Sequence, residues 1–589
     1  MRFSKHYMVL ALALLVGASL RLALLDFKPL WLDEVLTALF SQGRSYDDIP
    51  LDVVFSLNQL QQIFALNPQA NCSQIAKVLL TQSTHPPVFF CLMNWWLHWI
   101  NLPFSLAWKM RSLSVLFGIL AIAAVYLLAR LAFSKVVGVW AAFFMAVSPF
   151  GVYLSQEARH YSLPILVCAL ALSALVQIQK DFYRCTNQRP LIWIGWIAAN
   201  TLGLYIHYFF ILAFIAQLAT LIFDFNFSLS RYSHWWKLHP RLFKYLPPWQ
   251  YNILYIFICQ YSKYIIISLV PLAFFIPWLP LLFAHFGRAE TNWIPHPENI
   301  APFYQTIAAW MTFSVMLPVE KQPTWIIIFS VTIGILFFIW LGWRAFLGLQ
   351  LLWNQPVTHL GVRVLLSFTL WVLLQFVVII YLLGKDLTVA PRYHFIYYPA
   401  ICVLLAAGLQ VRNVKKYKSG NKFLNFLLAP KPQEIFYTFL VAGFISSLVV
   451  ISDLGYKKPF SPRLAAQNIN VDSAVPKVIV VGYKNFQDVG LGLSVALELQ
   501  KSEKEGKAGS YMVFLSRSQG YEQVWQNLSK LENLPAPPLN LWIVAPEIKR
   551  TDYPKQLFHK VTTCNIDTAH YHRIGVSYQL YRCIKKQKE

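Results

Sequence analysis

The sequence predicts an α-helical polytopic membrane protein carrying a small C-terminal α/β domain outside the membrane. Three observations lead there. Only 13% of the 589 residues are charged while 57% are hydrophobic, whereas a soluble domain carries about 25% charged residues. A folded sphere still needs a polar skin, so a chain this apolar needs lipid to face. Long apolar runs, each near the roughly 20 residues that a spanning helix requires, recur up to residue 452. Beyond Asp453 the chain becomes more charged and its apolar runs shorten.

The first run, Met8 to Leu25, follows a basic start at Arg2 and Lys5. It resembles a secretory signal but shows no clear cleavage site, so it reads as a retained first helix. Further runs fall at 106–131, 136–154, 162–178, 191–206, 208–224, 263–284, 324–346, 364–384, 395–411 and 434–452, making about eleven spans. With the N-terminus inside, the inner loops hold twenty Lys and Arg and the outer loops up to residue 452 hold ten. Cytoplasmic loops carry such an excess, and this orientation puts the tail outside. The formal net charge of +24 therefore reads as a set of topology signals, and nucleic acid is excluded as a partner.

The aromatic run His85 to Ile100 is shorter than the others. A span there would reverse every later loop, so it reads as an interfacial or re-entrant helix with Trp95, Trp96 and Trp99 at headgroup level. The division expected is a transmembrane domain over 1–452, with 26–105 as a long external loop bearing juxtamembrane helices, and an external α/β domain over 453–589. A loop of that length is a candidate for function.

Within the tail, Lys477 to Gly482, Tyr511 to Leu515 and Leu539 to Val544 read as strands. Val489 to Leu499 and Tyr521 to Leu531 read as helices, and the alternation gives the α/β assignment. No glycine-rich phosphate loop accompanies it. The eight cysteines form no CxxC pair, which argues against a zinc site. Most read as buried apolar fillers; Cys564 and Cys583 lie in one domain and can pair or remain apart.

Several ionisable residues fall near the predicted outer surface. Asp33 and Glu34 follow the first helix, where paired carboxylates are suited to accepting a proton; the pair also reads as a simple helix start. His85, before Pro86 and Pro87, can donate a hydrogen bond to an anion or merely open a helix. Arg111, Arg159 and Arg392 are suited to clamping phosphate through bidentate hydrogen bonds, or to snorkelling toward headgroups. His207 and Tyr208 fit a polar site or an aromatic-belt turn. Convergence of acidic, histidine and arginine groups on one face is what favours function, since ionisable groups at a membrane are functional candidates.

The order and context of these pieces resemble a known family. Asp33-Glu34 after the first helix is followed by His85-Pro86-Pro87 and by Arg111-Ser112-Leu113-Ser114-Val115-Leu116-Phe117-Gly118. Then come Ser148-Pro149-Phe150, the run Tyr153 to Ser162 (YLSQEARHYS), and Pro391-Arg392-Tyr393. Over about residues 1–410 the chain is similar to the GT-C superfamily of membrane glycosyltransferases, in the branch of protein O-mannosyltransferases and lipid A aminoarabinose transferases. The resemblance implies a sugar donor carried on polyprenyl phosphate, transfer on the periplasmic or luminal side of what would be a bacterial inner membrane, and inversion at the anomeric carbon. It implies Asp33 as general base, Glu34 as its support and Glu157 as a second acidic group. It also implies His85, Arg111, Arg159 and Arg392 as phosphate-binding candidates, with Tyr161, His207 and Tyr393 nearby. It calls for no cofactor or metal, and the acceptor can be a lipid, a glycan or a protein. Some members carry a basic residue in place of His85, and the tail does not resemble the lectin-like insert of eukaryotic O-mannosyltransferases. The alternatives from other classes are a transporter or flippase of lipid-linked substrates, and a non-catalytic membrane assembly protein.

Overall fold

The computed structural model describes residues 5–184, 186–223, 264–286, 288, 294–411, 430–472, 474–502, 509–559 and 562–585. The basic loop residues Arg231 to Lys263 and Arg412 to Lys422 lie outside them, as do Cys185 and Cys259. The chain forms two compact units, Met1–Leu25 with Arg111–Tyr456, and Asp26–Met110 with Lys457–Glu589. The loop after the first helix thus belongs to the same compact unit as the tail.

The first unit is helical, as the apolar runs require. Among the described residues, seven helices are long and apolar enough to cross a membrane, or eight if a bent pair counts as one span. The bent pair is Lys135–Val147 with Pro149–Ser155, and Pro190–Ile206, Phe210–Phe223 and Tyr398–Leu409 are shorter apolar helices. All eleven predicted runs are thus helical, and seven to eight reach spanning length. The chain is an integral, multi-pass membrane protein. One helix was not expected from the sequence, Ala301–Ser314, whose Phe313 packs on Phe150 and Tyr398.

The second unit is built on a seven-stranded sheet. Its strands are β1 (Phe55–Ser56), β2 (Lys477–Tyr483), β3 (Ser510–Ser516), β4 (Leu539–Ala545), β5 (Gln556–His559), β6 (Thr562–Ile574) and β7 (Val576–Lys585), in the order β1-β3-β2-β4-β7-β6-β5. The central pairs β2–β3 and β2–β4 are parallel, joined through the helices Phe486–Ser502 and Tyr521–Lys530. The strands and helices expected in the tail are therefore present, and the β5–β6–β7 antiparallel extension is additional. Alternate residues face opposite sides of a strand. Ile479, Val481, Met512, Phe514, Trp542 and Val544 enter one core, while Val478, Val480, Val513, Leu515, Leu541 and Ile543 enter the other. Both faces are covered, which is why these strands read as continuous apolar runs without alternation.

The loop supplies part of this unit. Strand β1 pairs antiparallel with β3, Phe55 opposite Met512, and Leu30, Val35, Leu36, Leu39 and Phe40 share a core with Phe486, Val489 and Leu493 of the tail. The run His85 to Ile100 becomes the helix Val88–Trp99, about 18 Å long and too short to cross a roughly 30 Å hydrocarbon core. Cys72 and Cys91 are disulfide-bonded, a pairing that the sequence reading did not anticipate. Cys564 and Cys583, directly opposite on β6 and β7, form a second disulfide.

Candidate active site

The helical unit's candidate residues are positioned by a broken helix. Ser148 ends Lys135–Val147 and caps the next helix, its Oγ accepting from the Gly151 N–H at 3.4 Å and donating to the Phe313 carbonyl at 2.7 Å. Pro149 takes the first helical position, where its missing N–H is harmless to the new helix. The axis bends by 60°. Past the bend the chain leaves the helix at Gln156 and turns through Glu157 to Tyr161.

Arg21, a residue that the sequence did not single out, holds this bend. It is fully buried, and its guanidinium donates to the carbonyls of Met145 and Ala146, each at 2.9 Å, to Gly17 O at 3.1 Å and to Ser155 Oγ at 3.1 Å. The Met145 carbonyl would normally be bonded by the N–H four residues on, which Pro149 lacks. Small residues give the guanidinium room. A Cβ on Gly151 would lie 3.0 Å from Arg21 Nη2, and one on Gly118 would lie 2.2 Å from Ser155 Oγ.

Two further side chains tie the first helix to the same turn. Gln156 Nε2 donates to Ala23 O at 2.8 Å, and Arg111 Nη1 donates to Leu25 O at 2.8 Å. Both acceptors lie just past the end of the helix Lys5–Leu22, where the backbone carbonyls have no helical partner. One turn beyond Arg111, Ser114 Oγ donates to the Arg159 carbonyl at 3.1 Å. Arg111 is thus an internal fastener of the helical unit.

Three segments far apart in sequence then converge. Arg159, His160 and Tyr161 are buried in the turn. His207 follows Pro190–Ile206, and its ring lies 4.6 Å from that of His160 and 5.6 Å from that of Tyr161. The 3-10 helix Pro391–Ile396 contributes Phe395, 5.0 Å from His207 and 5.9 Å from Tyr161. From the same segment, the Arg392 guanidinium carbon lies 5.9 Å from the Tyr161 ring centre and 5.8 Å from that of Tyr393. Tyr393 in turn packs on Phe209 at 4.7 Å. A guanidinium over aromatic faces is attracted by the ring quadrupoles. The structure thus brings together Tyr161, His207, Arg392 and Tyr393, with Arg159 buried and Glu157 partly buried on the turn that carries Tyr161. His160, quoted in the YLSQEARHYS run but given no role there, belongs to the cluster.

Asp33, Glu34 and His85 lie in the other unit. The helix Leu32–Ser41 is buried from Glu34 onward. Glu34 is 2% exposed, and its Oε2 accepts the Trp31 N–H at 3.1 Å, the backward half of a capping box. Asp33, one residue earlier, is partly exposed, and its carbonyl accepts from Thr37 Oγ1 at 2.8 Å. His85 is partly buried; its Nδ1 lies 2.9 Å from Ser83 Oγ and its ring 6.0 Å from that of Phe90. Among the described residues, no group of three or more His, Cys, Asp or Glu is arranged to hold a metal ion.

A family model described as dolichyl-phosphate-mannose-protein mannosyltransferase matches residues 84–238. The structure of ArnT from Cupriavidus metallidurans bound to undecaprenyl phosphate superposes with a TM-score of 0.51 at 12% identity, covering 98% of this chain and 97% of that one. The chain resembles the GT-C membrane glycosyltransferases. Apo ArnT gives a TM-score of 0.46 at 10% identity over 92% of each chain. The Archaeoglobus fulgidus oligosaccharyltransferase gives 0.44 at 13% identity, covering 84% of this chain and 64% of that one. No curated protein matches the chain. At 12% identity the undecaprenyl-phosphate-bound ArnT structure shows a shared fold, and the family match supports glycosyltransferase activity. The family match takes in His85, Arg111, Glu157, Arg159, Tyr161 and His207, and leaves Asp33, Glu34, Arg392 and Tyr393 outside its span.

Proposed function

We propose that this protein transfers a sugar from a polyprenyl-phosphate donor to an acceptor hydroxyl at the non-cytoplasmic face of a bacterial inner membrane. The observation that carries the reading is the buried cluster in which Arg392 lies against Tyr161 and Tyr393, in a helical unit that also buries Arg159 and His207. Guanidinium groups donate bidentately to phosphate. Aimed at a leaving phosphate, they stabilise the charge that grows as the bond to the sugar breaks. A polyprenyl chain stays in the bilayer, so its phosphate has to be met by residues of a membrane protein. The ArnT of this fold bound to undecaprenyl phosphate is a precedent for such a ligand.

The reaction is a single displacement. The acceptor oxygen bonds to the anomeric carbon, the bond from that carbon to the phosphate oxygen breaks, and the configuration inverts. The acceptor proton passes to the Asp33 carboxylate, and polyprenyl phosphate departs with the bonding electrons. Glu34, turned toward the Trp31 N–H, supports the helix that carries Asp33. Arg111 and Glu157, in the helical unit with Arg392, shape the turn that carries Arg159 and Tyr161, and His85 is a further candidate for the phosphate. The Cys72–Cys91 and Cys564–Cys583 bonds fit an oxidising compartment for the second unit, in agreement with the loop charges.

The test uses full-length protein in liposomes with a panel of radiolabelled polyprenyl-phosphate sugars and native membrane extract as acceptor. Wild type should turn over one donor. Asp33→Asn and Arg392→Ala should each lose roughly a hundredfold or more in kcat. Wild-type turnover in Asp33→Asn removes the base. Failure of every donor in the presence of the extract overturns the transferase reading.

A further inference from the structure

The tail's helix Phe486–Ser502 lies between the central sheet and the helix that carries Asp33. Two glycines make this possible. A Cβ on Gly492 would meet Phe514 Cε1 at 2.6 Å and Val481 Cγ2 at 3.0 Å, both in the sheet. A Cβ on Gly490 would meet Leu36 Cδ2 at 3.0 Å and the Leu32 carbonyl at 3.3 Å, both in the Asp33 helix. Residues two apart on a helix point to nearly opposite sides, so one glycine admits the sheet and the other admits the loop helix. Glycine weakens helix interiors; here it permits contact on two faces that larger residues would hold apart.

The attachment continues on both sides of Asp33. Phe40 and Tyr46 pack on Phe486 at 5.2 and 4.2 Å, and Trp31 packs on Phe460 at 6.4 Å. The Arg463 guanidinium lies over the Phe27 ring at 4.9 Å and donates to the Phe27 carbonyl. Gln500 Nε2 donates to Leu57 O at 3.0 Å, and β1 completes the seam against β3.

We infer that the C-terminal domain is the positioning scaffold of the candidate base, with Gly490 as the positioning residue that fixes the Asp33 helix through Leu32 and Leu36. This rests on the assignment of Asp33 as base. Asp33 stands on the first turn of a helix whose remaining length is buried in a core shared with the tail. Displacing that helix displaces the carboxylate, and misplacement by about 1 Å can cost roughly a hundredfold in rate.

The experiment measures kcat, donor KM and the pH–rate profile for wild type, Asp33→Asn, Gly490→Ala, Gly490→Leu, and Gly490→Leu combined with Leu36→Ala. Gly490→Ala asks its neighbours to give by a few tenths of an ångström, so it keeps the fold. It should lower kcat a few-fold, roughly, with donor KM little changed, and shift the limb of the pH profile that Asp33 sets. Gly490→Leu should lower kcat by about a hundredfold, and Leu36→Ala in the same chain should recover most of it by vacating the space. If Asp33→Asn retains full turnover, the base assignment fails. If Asp33→Asn is inactive while both Gly490 variants keep wild-type kcat and pH profile, the positioning role alone is overturned. A Gly490→Ala loss confined to KM overturns it as well.

Discussion

Replacing Arg21 by methionine tests whether the bent span depends on a buried cation. Methionine keeps an unbranched apolar stem in the helix and removes the donors to Met145 O, Ala146 O and Ser155 Oγ. Met145 O loses a bond that no backbone N–H can replace, because the residue four positions on is Pro149. Leaving a buried acceptor unsatisfied costs about 1–3 kcal/mol, so the two carbonyls together give roughly 2–6 kcal/mol. Polar contacts inside membrane bundles average nearer 0.6 kcal/mol in measured cycles, because the unfolded chain in lipid finds other partners; that sets a lower figure of about 1 kcal/mol for the pair. The expected destabilisation is therefore about 1–6 kcal/mol, read as a lower midpoint of thermal unfolding in lipid nanodiscs by tryptophan fluorescence. Arg21→Lys keeps a charge and fewer directed donors, and should fall between wild type and Arg21→Met. Transfer activity should decline with stability, because Pro149–Ser155 leads directly into Gln156–Tyr161. An Arg21→Met protein that melts with the wild type would refute the account of the bend.

Two other outcomes follow from the second unit. Arg582 donates to Asp472 at 2.7 Å and to Asp567 at 2.8 Å. Its hydrogen bond holds the Asp472 carboxyl below the usual range; at Asp567 burial pushes upward, but the bonds from Arg582, Ala569 N–H and His570 outweigh it. Carboxyls lowered on folding give stability that is present above their ordinary value of 3.8 and lost as pH falls through the folded values. Amide exchange in β6 and β7 should therefore accelerate on acidification below that point, and Arg582→Gln should flatten the response; an unchanged response would remove this cluster from the acid limb. Separately, Glu34→Gln keeps an acceptor for the Trp31 N–H and should retain most transfer activity, in contrast to Asp33→Asn. Equal loss in the two would show that the carboxylates act as a pair.

The apolar helices and the parallel core of the tail were legible because each announces itself locally. A spanning run needs only length and composition, and a strand buried on both faces reads as an unbroken apolar stretch, as Val478 to Val481 does. What stayed hidden depends on partners distant in sequence. Strand β1 is two residues long and has no period to detect; it exists because β3 offers an open edge. Cys72 and Cys91 sit on separate helices, Cys72–Gln82 and Val88–Trp99, and only the turn through His85-Pro86-Pro87 brings them together. The Arg159, Tyr161, His207, Arg392 and Tyr393 set was visible as residue types at corresponding ends of helices. Arg21 was not, because an arginine near the end of an apolar run reads as a headgroup anchor until the acceptors freed by Pro149 come into view.

The cluster's location has a physical reason beyond the identity of its side chains. Each contributing segment lies where a helix is interrupted inside the bundle: the turn after Pro149–Ser155, the break at His207 between Pro190–Ile206 and Phe210–Phe223, and the 3-10 helix before Tyr398–Leu409. Non-helical backbone within an apolar bundle leaves N–H and carbonyl groups that lipid cannot satisfy, so it persists only where protein or a polar cavity serves it. Side chains meet part of that demand here, with Ser114 bonded to the Arg159 carbonyl and His207 Nδ1 accepting the Phe209 N–H at 3.0 Å. Those same interruptions free side chains from the helical lattice and turn them toward one another. A continuous helix through residues 156–161 would place Arg159 and Tyr161 on opposite sides of its axis. The break at Ser148-Pro149 and the turn that follows relieve both of that geometry, and Tyr161 meets His207 and Arg392 there.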